Sequence, residues 1–132
     1  MADVAFEIEG ATLDDLFATG ARALAELAAD PATLGGAVER TVTLEAPDVE
    51  LLFYDWLAEL VFLADRDRAV YPAADVTVTA GPPAHLRARV HGGLVDRART
   101  ALRADPKAVT MHRFGVDALS GGGWRAEVVI DV

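Results

Sequence analysis

Two aspartates occupy places where a small protein can gather oxygen ligands: Asp3, near the start of a 132-residue chain, and Asp131, next to the last residue, Val132. If the first and last strands pair antiparallel, the start of one lies beside the end of the other, and the two carboxylates meet. Alternation gives them a common face. Asp3 is in step with Glu7 and Glu9, opposite Val4, Phe6 and Ile8; Asp131 is in step with Arg125 and Glu127, opposite Trp124, Ala126, Val128 and Ile130. The terminal carboxylate of Val132 adds a third anion, and three such groups at one sheet end repel unless a hard cation or nearby arginines compensate. Solvated chain-end charges are the other reading, since termini often fray.

Other chemistries find less material. His85 and His91 fall on the polar side of one strand and His112 on another, with no spacing that joins them as metal ligands. Serines and threonines have no nearby histidine base, so nucleophilic catalysis lacks a candidate. Gly121-Gly122-Gly123 precedes a strand pattern rather than a capped helix, which makes it a hairpin turn and not a phosphate cradle. No phosphate-loop motif with a terminal lysine is present. With no cysteine, the chain has no disulfide scaffold, thiolate zinc site or thiol catalyst.

The elements that must position the aspartates follow from periodicity. Residues Asp3 to Glu9 alternate as a strand. Thr12 caps a helix from Leu13 to about Ala29, with Asp15 three residues on and Leu13, Leu16, Phe17, Leu24, Leu27 and Ala28 as its apolar stripe. Asp30-Pro31 and Gly35-Gly36 end it. A second strand holds Val42 and Leu44 among Thr41, Thr43 and Glu45. Asp48 then caps a helix from Val49 to about Ala64, whose apolar residues cover nearly its whole circumference; this predicts a central core helix. Strands near Asp75–Thr79, around Leu86–Val90, from Ala108 to Val116 and from Trp124 to Val132 complete the order β-α-β-α-β-β-β-β. The pattern predicts one α+β domain over residues 1–132, with two helices packed on one face of a mixed, mostly antiparallel sheet.

Composition sets the partners. A hydrophobic fraction of 52% suffices for one core. The longest apolar stretch, Leu51 to Ala64, is broken by Asp55 and Glu59 and is too short to span a bilayer. With no export signal legible, the expected location is the cytoplasm. The net charge of -9 argues against tight nucleic-acid binding by phosphate neutralisation. Charge is segregated, however: residues 85 to 113 hold seven bases against two acids, a net of +5, whereas the remainder holds five against nineteen, a net of -14. Folding either intersperses these charges or leaves a basic face for an acidic or phosphate-bearing partner.

Several segments together resemble the archease family. Ala2-Asp3-Val4 with Phe6-Glu7-Ile8 stands in the place of its opening His-Thr-Ala-Asp-Val motif and strand, and Thr12 to Phe17 resembles its Thr-Leu-Glu-Glu-Ala-Phe segment. Asp48 to Leu52 with Trp56-Leu57-Ala58-Glu59-Leu60 resembles its core helix. Pro106-Lys107-Ala108-Val109-Thr110-Met111-His112 matches Val-Lys-Ala-Val-Thr-Tyr-His, and Gly122 to Asp131 matches the closing Gly-Gly-Trp-x-Ala-x-Val-Val-x-Asp. Two positions depart from the family: Met1 stands where it has threonine, with no histidine before it, and Met111 replaces the tyrosine.

The resemblance implies an accessory protein, not an enzyme, that serves an RtcB-type RNA ligase in tRNA splicing and RNA repair. Such a protein promotes GTP- and metal-dependent guanylylation of the ligase and its multiple turnover, meeting RNA only through the ligase. It also implies a divalent metal ion, calcium in structures of the family, held by Asp3, Asp131 and Val132. Arg87, Arg89, Lys107 and His112 are expected to dock the partner. Two other functions stay open: a chaperone-like module for an RNA-modifying methyltransferase, and a metal-dependent hydrolase using Asp3, Asp131 and His112.

Overall fold

A computed structural model of the chain describes residues 2–132; the departure at Met1 lies outside the described residues. Its elements are β1 (Asp3–Gly10), α1 (Leu13–Ala28), β2 (Ala37–Ala46), α2 (Val49–Asp67), β3 (Ala69–Thr79), β4 (Ala84–Leu94), β5 (Ala108–Ala118) and β6 (Trp124–Asp131), with a 3-10 turn at Pro31–Thr33. The α+β class and the order of elements are those the periodicity predicts. The strands, however, divide into two three-stranded sheets, β1-β6-β5 and β2-β4-β3, and every pairing among them is antiparallel. Alternation tells which side of a strand is buried but not which strand lies beside it, and for this reason one sheet was indistinguishable from two.

Each helix packs against both sheets, α1 on β1 and β3, and α2 on β5, β2 and β3. The helix starts are built as the sequence predicts: Thr12 Oγ1 accepts from the Asp15 amide at 3.1 Å, and Asp48 Oδ1 accepts from the Leu51 amide at 2.9 Å. The shared core centres on Phe17, Phe53 and Trp56, all fully buried, with the Phe17 and Phe53 rings edge-to-face at 4.9 Å. The Trp56 indole N–H donates to the Phe17 carbonyl at 2.9 Å, so its one polar atom is satisfied inside the core. Gly20 permits this approach, because a Cβ there would meet the Phe53 ring at 2.9 Å.

One difference of boundary has a local cause. β3 begins at Ala69 rather than near Asp75. Ala69, Val70 and Tyr71 are buried in succession without alternation, and a register shift falls between Val70 and Ala73 around Pro72. The edge of β3 is closed by α1, whose Asp14 carboxylate accepts the Val78 amide at 2.7 Å. The stretch between β4 and β5 is not free loop: the Asp30 amide donates to the Ala101 carbonyl, the Arg103 amide to the Ala28 carbonyl, and buried Thr100 donates its hydroxyl to the Thr33 carbonyl.

Candidate metal centre

β6 is the middle strand of its sheet, so the end of the chain is held on both sides. Asp131 lies directly opposite Asp3 on β1 and opposite Ala108 on β5. The Lys107 amide donates to the Asp131 carbonyl at 2.8 Å, and the Val132 amide donates to the Ala2 carbonyl at 3.1 Å. Asp3 is exposed and Asp131 and Val132 are half-buried. Paired ends of this kind do not fray as free termini do. Ile130 and Val109 of the adjoining rung face the core and Val4 lies opposite Ile130, which leaves Asp3 and Asp131 on the outer face by alternation.

The same outer face carries a second pair of facing acids, Glu7 opposite Glu127. That pair is compensated: the Arg125 guanidinium bonds Glu7 and lies 3.7 Å from Glu127, and Arg113 reaches Glu127 at 2.9 Å. Asp3 and Asp131 make no ion pair among the described residues. Facing like charges destabilise a strand pair, and one rung solves this with arginine while the other does not. No three His, Asp or Glu side chains converge as a metal-holding group among the described residues. The expected set has two carboxylate side chains, its third donor being the main-chain oxygens of Val132. These are all hard oxygen donors, the chemistry that calcium takes, and the residues present therefore fit such a cation.

The expected docking residues fall in two places. Arg87 and Arg89 project from the outer side of β4, the middle strand of the second sheet, whereas Lys107 and His112 belong to the first sheet and its approach. The basic strand β4 faces acids from both neighbours. Arg89 pairs with Glu39 at 3.2 Å, His85 with Glu45 at 3.3 Å, and His91 with Glu39 at 3.2 Å and Asp75 at 3.3 Å. Folding thus intersperses much of the segregated charge, while Arg87 takes no ion pair among the described residues. His112 is exposed in the irregular part of β5, where the register shifts between Thr110 and Gly115 and Arg113 adopts a left-handed φ of 55°.

Two features had no clear signal in the sequence. Asp67, at the end of α2, accepts from the Tyr71 hydroxyl at 2.5 Å and pairs with Arg66 at 2.9 Å and Arg40 at 3.2 Å. The hydrogen bonds from Arg66 and Tyr71 hold its carboxyl down at about 2, and burial followed by the Asp67 contact pushes the Tyr71 phenol up to about 12. The cluster ties α2 to β2 and β3. Second, a cavity of about 470 Å³ lies between the helices under the stretch that precedes β5, lined by Leu24, Leu60, Tyr71 and Leu102 among others. It contains none of the expected site residues. Ala21, Ala25 and Ala28 at helical spacing on α1 are the only sequence sign of it.

Comparison with known proteins agrees with this architecture. The model of the Archease protein family matches residues 1–132. The chain is similar to a protein archease of Archaeoglobus fulgidus, 33% identical over 131 residues that cover 99% of this chain and 93% of that protein. A protein archease of Methanosarcina mazei is 30% identical over 134 residues, covering 99% and 90%. The solution structure of Methanobacterium thermoautotrophicum protein 1598 superposes with a TM-score of 0.80 at 28% identity, covering 100% of this chain and 94% of that one. The crystal structure of a Thermotoga maritima archease, described as a possible chaperone, shares the fold with a TM-score of 0.65 at 16% identity, covering 99% and 91%. With its whole length matched by the family model and its two sheets and two helices shared with solved relatives, the chain belongs to the archease family.

Proposed function

We propose that this chain is the accessory protein of an RtcB-type RNA ligase, promoting GTP-dependent guanylylation of the ligase and its multiple turnover. The observation that carries this reading is the uncompensated rung of Asp3 and Asp131, at the positions where the family resemblance implies metal ligands. A divalent cation, when bound, supplies positive charge that neutralises phosphate oxygens. The protein's part is to hold that charge in place. Asp3 and Asp131 offer carboxylate oxygens from adjacent strands, Val132 offers main-chain oxygens, and the Lys107 amide fixes the backbone of Asp131. Lys107 adjoins this end and meets the partner there, His112 meets it from the irregular stretch of β5, and Arg87 and Arg89 meet an acidic surface of it from the other sheet. Guanylyl transfer itself takes place in the ligase.

The test is multiple-turnover ligation by the cognate ligase with GTP and manganese. Stimulation by the intact chain is expected to fall at least about tenfold in Asp3→Ala and in Asp131→Ala. Full stimulation by both folded variants, or none by the intact chain, overturns the reading. The description of the Thermotoga relative as a possible chaperone favours a second reading, a binding module that keeps an RNA-modifying methyltransferase soluble. Light scattering of that enzyme during heating, with and without this chain, decides it. The hydrolase alternative needs His112 to converge with Asp3 and Asp131, yet His112 lies in the irregular stretch of β5.

A further inference from the structure

The outer face of the second sheet is open to solvent, and its charges fall in rows that cross all three strands. From β2 through β4 to β3, one row holds Thr43, Arg87 and Thr77, and the next holds Thr41, Arg89 and Asp75; all six are exposed. The rows beyond begin on β2 with Glu45 and Glu39, each beside a histidine of β4. Arg87 thus stands in the one row of the four without a carboxylate, and it takes no ion pair among the described residues. Threonines are short, and beside the long arginines they leave a hollow of about 440 Å³ lined by Thr41, Thr77, Asp75, Arg87 and Arg89 among others. The acids around it keep their charge in water although they touch neighbours, the side chains of Glu39, Glu45 and Asp75 being 53%, 63% and 85% exposed. Three carboxylates outnumber two guanidinium groups, so the face as a whole is not basic. It offers a cation at its centre with anions around it.

We infer that this face docks a folded protein surface on which one exposed carboxylate, seated at Arg87, is flanked by lysines or arginines that meet Glu45 and Asp75. The inference rests on the docking of the ligase proposed above and narrows the acidic surface at Arg87 to a single acid among bases. Successive rows on one face lie about 7 Å apart, inside a Debye length at physiological salt, so an approaching partner feels both signs at once. A nucleic acid or a broadly acidic surface brings further anions on either side of the first, and Glu45 and Asp75 repel them. Complementary charge favours the matching partner and like charge excludes the others, and both act chiefly on the rate of encounter.

The experiment measures association of the cognate ligase with the full-length chain by stopped flow at low and at physiological salt. The variants are Arg87→Ala, the double reversal Glu45→Lys with Asp75→Lys, and the milder pair Glu45→Gln with Asp75→Asn. Arg87→Ala is expected to slow association at least about threefold. The double reversal is expected to slow it by a similar factor, although it makes the chain less acidic, and the neutral pair by less. Faster association after the double reversal, which a uniformly acidic partner surface would give, overturns the inference. A single-stranded RNA oligonucleotide serves as the polyanion probe, and binding of it that Arg87→Ala abolishes also overturns the inference, in favour of a nucleic acid on this face. Thermal melts identify any variant that fails to fold; the neutral pair, which introduces no charge, then carries the comparison. If the intact chain does not associate with the ligase, the ligase reading fails and this inference with it. If the intact chain associates and no variant changes the rate, only the docking face fails.

Discussion

At the scale of single residues, two carboxylates show how differently the fold treats like chemistry. Asp67 is surrounded by donors and its carboxyl is held down at about 2 from an ordinary 3.8, first by the hydrogen bonds of Arg66 and Tyr71. A carboxylate depressed on folding contributes stability that is fully present above its unfolded pKa and is lost as pH falls through the folded value. Thermal melts of the wild type should therefore show a loss of stability specific to the window between about pH 4 and pH 2. Asp67→Asn should be less stable by about 1–2 kcal/mol at pH 7 and lack that component. Asp131 presents the opposite case, an acid that faces another acid. In EDTA, Asp131→Asn is expected to raise stability by about 0.5 kcal/mol, because it removes a facing like charge. Calcium is expected to raise the melting temperature of the intact chain, and the same change to abolish that rise. Asp3 and Asp131 were legible as candidates from their places at the outer ends of the first and last strands, with alternation giving them a common face. The Asp67 cluster was not, since Arg40 reaches it from a strand distant in sequence.

At the scale of elements, caps and periodicity gave both helix starts to the residue and the end of α1 to within one, because both signals are local, whereas α2 runs three residues past the expected Ala64. Strand extents were less legible wherever alternation stops. β3 is the instructive case: Ala69 to Tyr71 are buried in succession, and the shift at Val70/Ala73 lets the strand pass from full burial to a half-exposed edge. Gly92 makes this possible. A Cβ at Gly92 would stand 1.7 Å from the Val70 carbonyl oxygen, a contact that β3 and β4 can relieve only by moving apart. Gly92→Ala is expected to cost at least about 2 kcal/mol, read as a lower urea midpoint with an unchanged m-value. An unchanged midpoint would mean that the two strands separate freely at this point.

At the scale of the whole molecule, the issue is how an acidic protein presents basic residues to a partner. The sequence places seven bases between residues 85 and 113, yet in space Glu39, Glu45 and Asp75 lie among those on β4, and Arg87 stays apart from them. Charge on a rim steers encounter more than it holds the complex. Reversal of Arg87 and Arg89 to glutamate is accordingly expected to slow association with the proposed ligase partner about tenfold, to flatten its salt dependence, and to change the dissociation rate little. Stopped-flow or surface-based kinetics at two ionic strengths would read this, and equal changes in both rates would count against the docking role. Among the described residues, no helix is long and apolar enough to cross a membrane.

The sequence by itself determined what depends on near neighbours and on composition: two capped helices, six strands in their order, the α+β class, the core face of each element and the common parity of Asp3 and Asp131. Its likeness to archeases, carried by short segments in collinear order, also reached the family that the comparisons show. Tertiary structure decided everything that needs a partner from far along the chain. It split the strands into two sheets, set Asp3 opposite Asp131 and Glu7 opposite Glu127, and gave arginines to only the second of those pairs. It also buried the hydroxyl of Thr110 and mixed the basic stretch with acids. The physical reason is one and the same: periodicity reports which side of an element avoids water, whereas pairing, charge compensation and hydrogen-bond satisfaction depend on which other side chains that element meets.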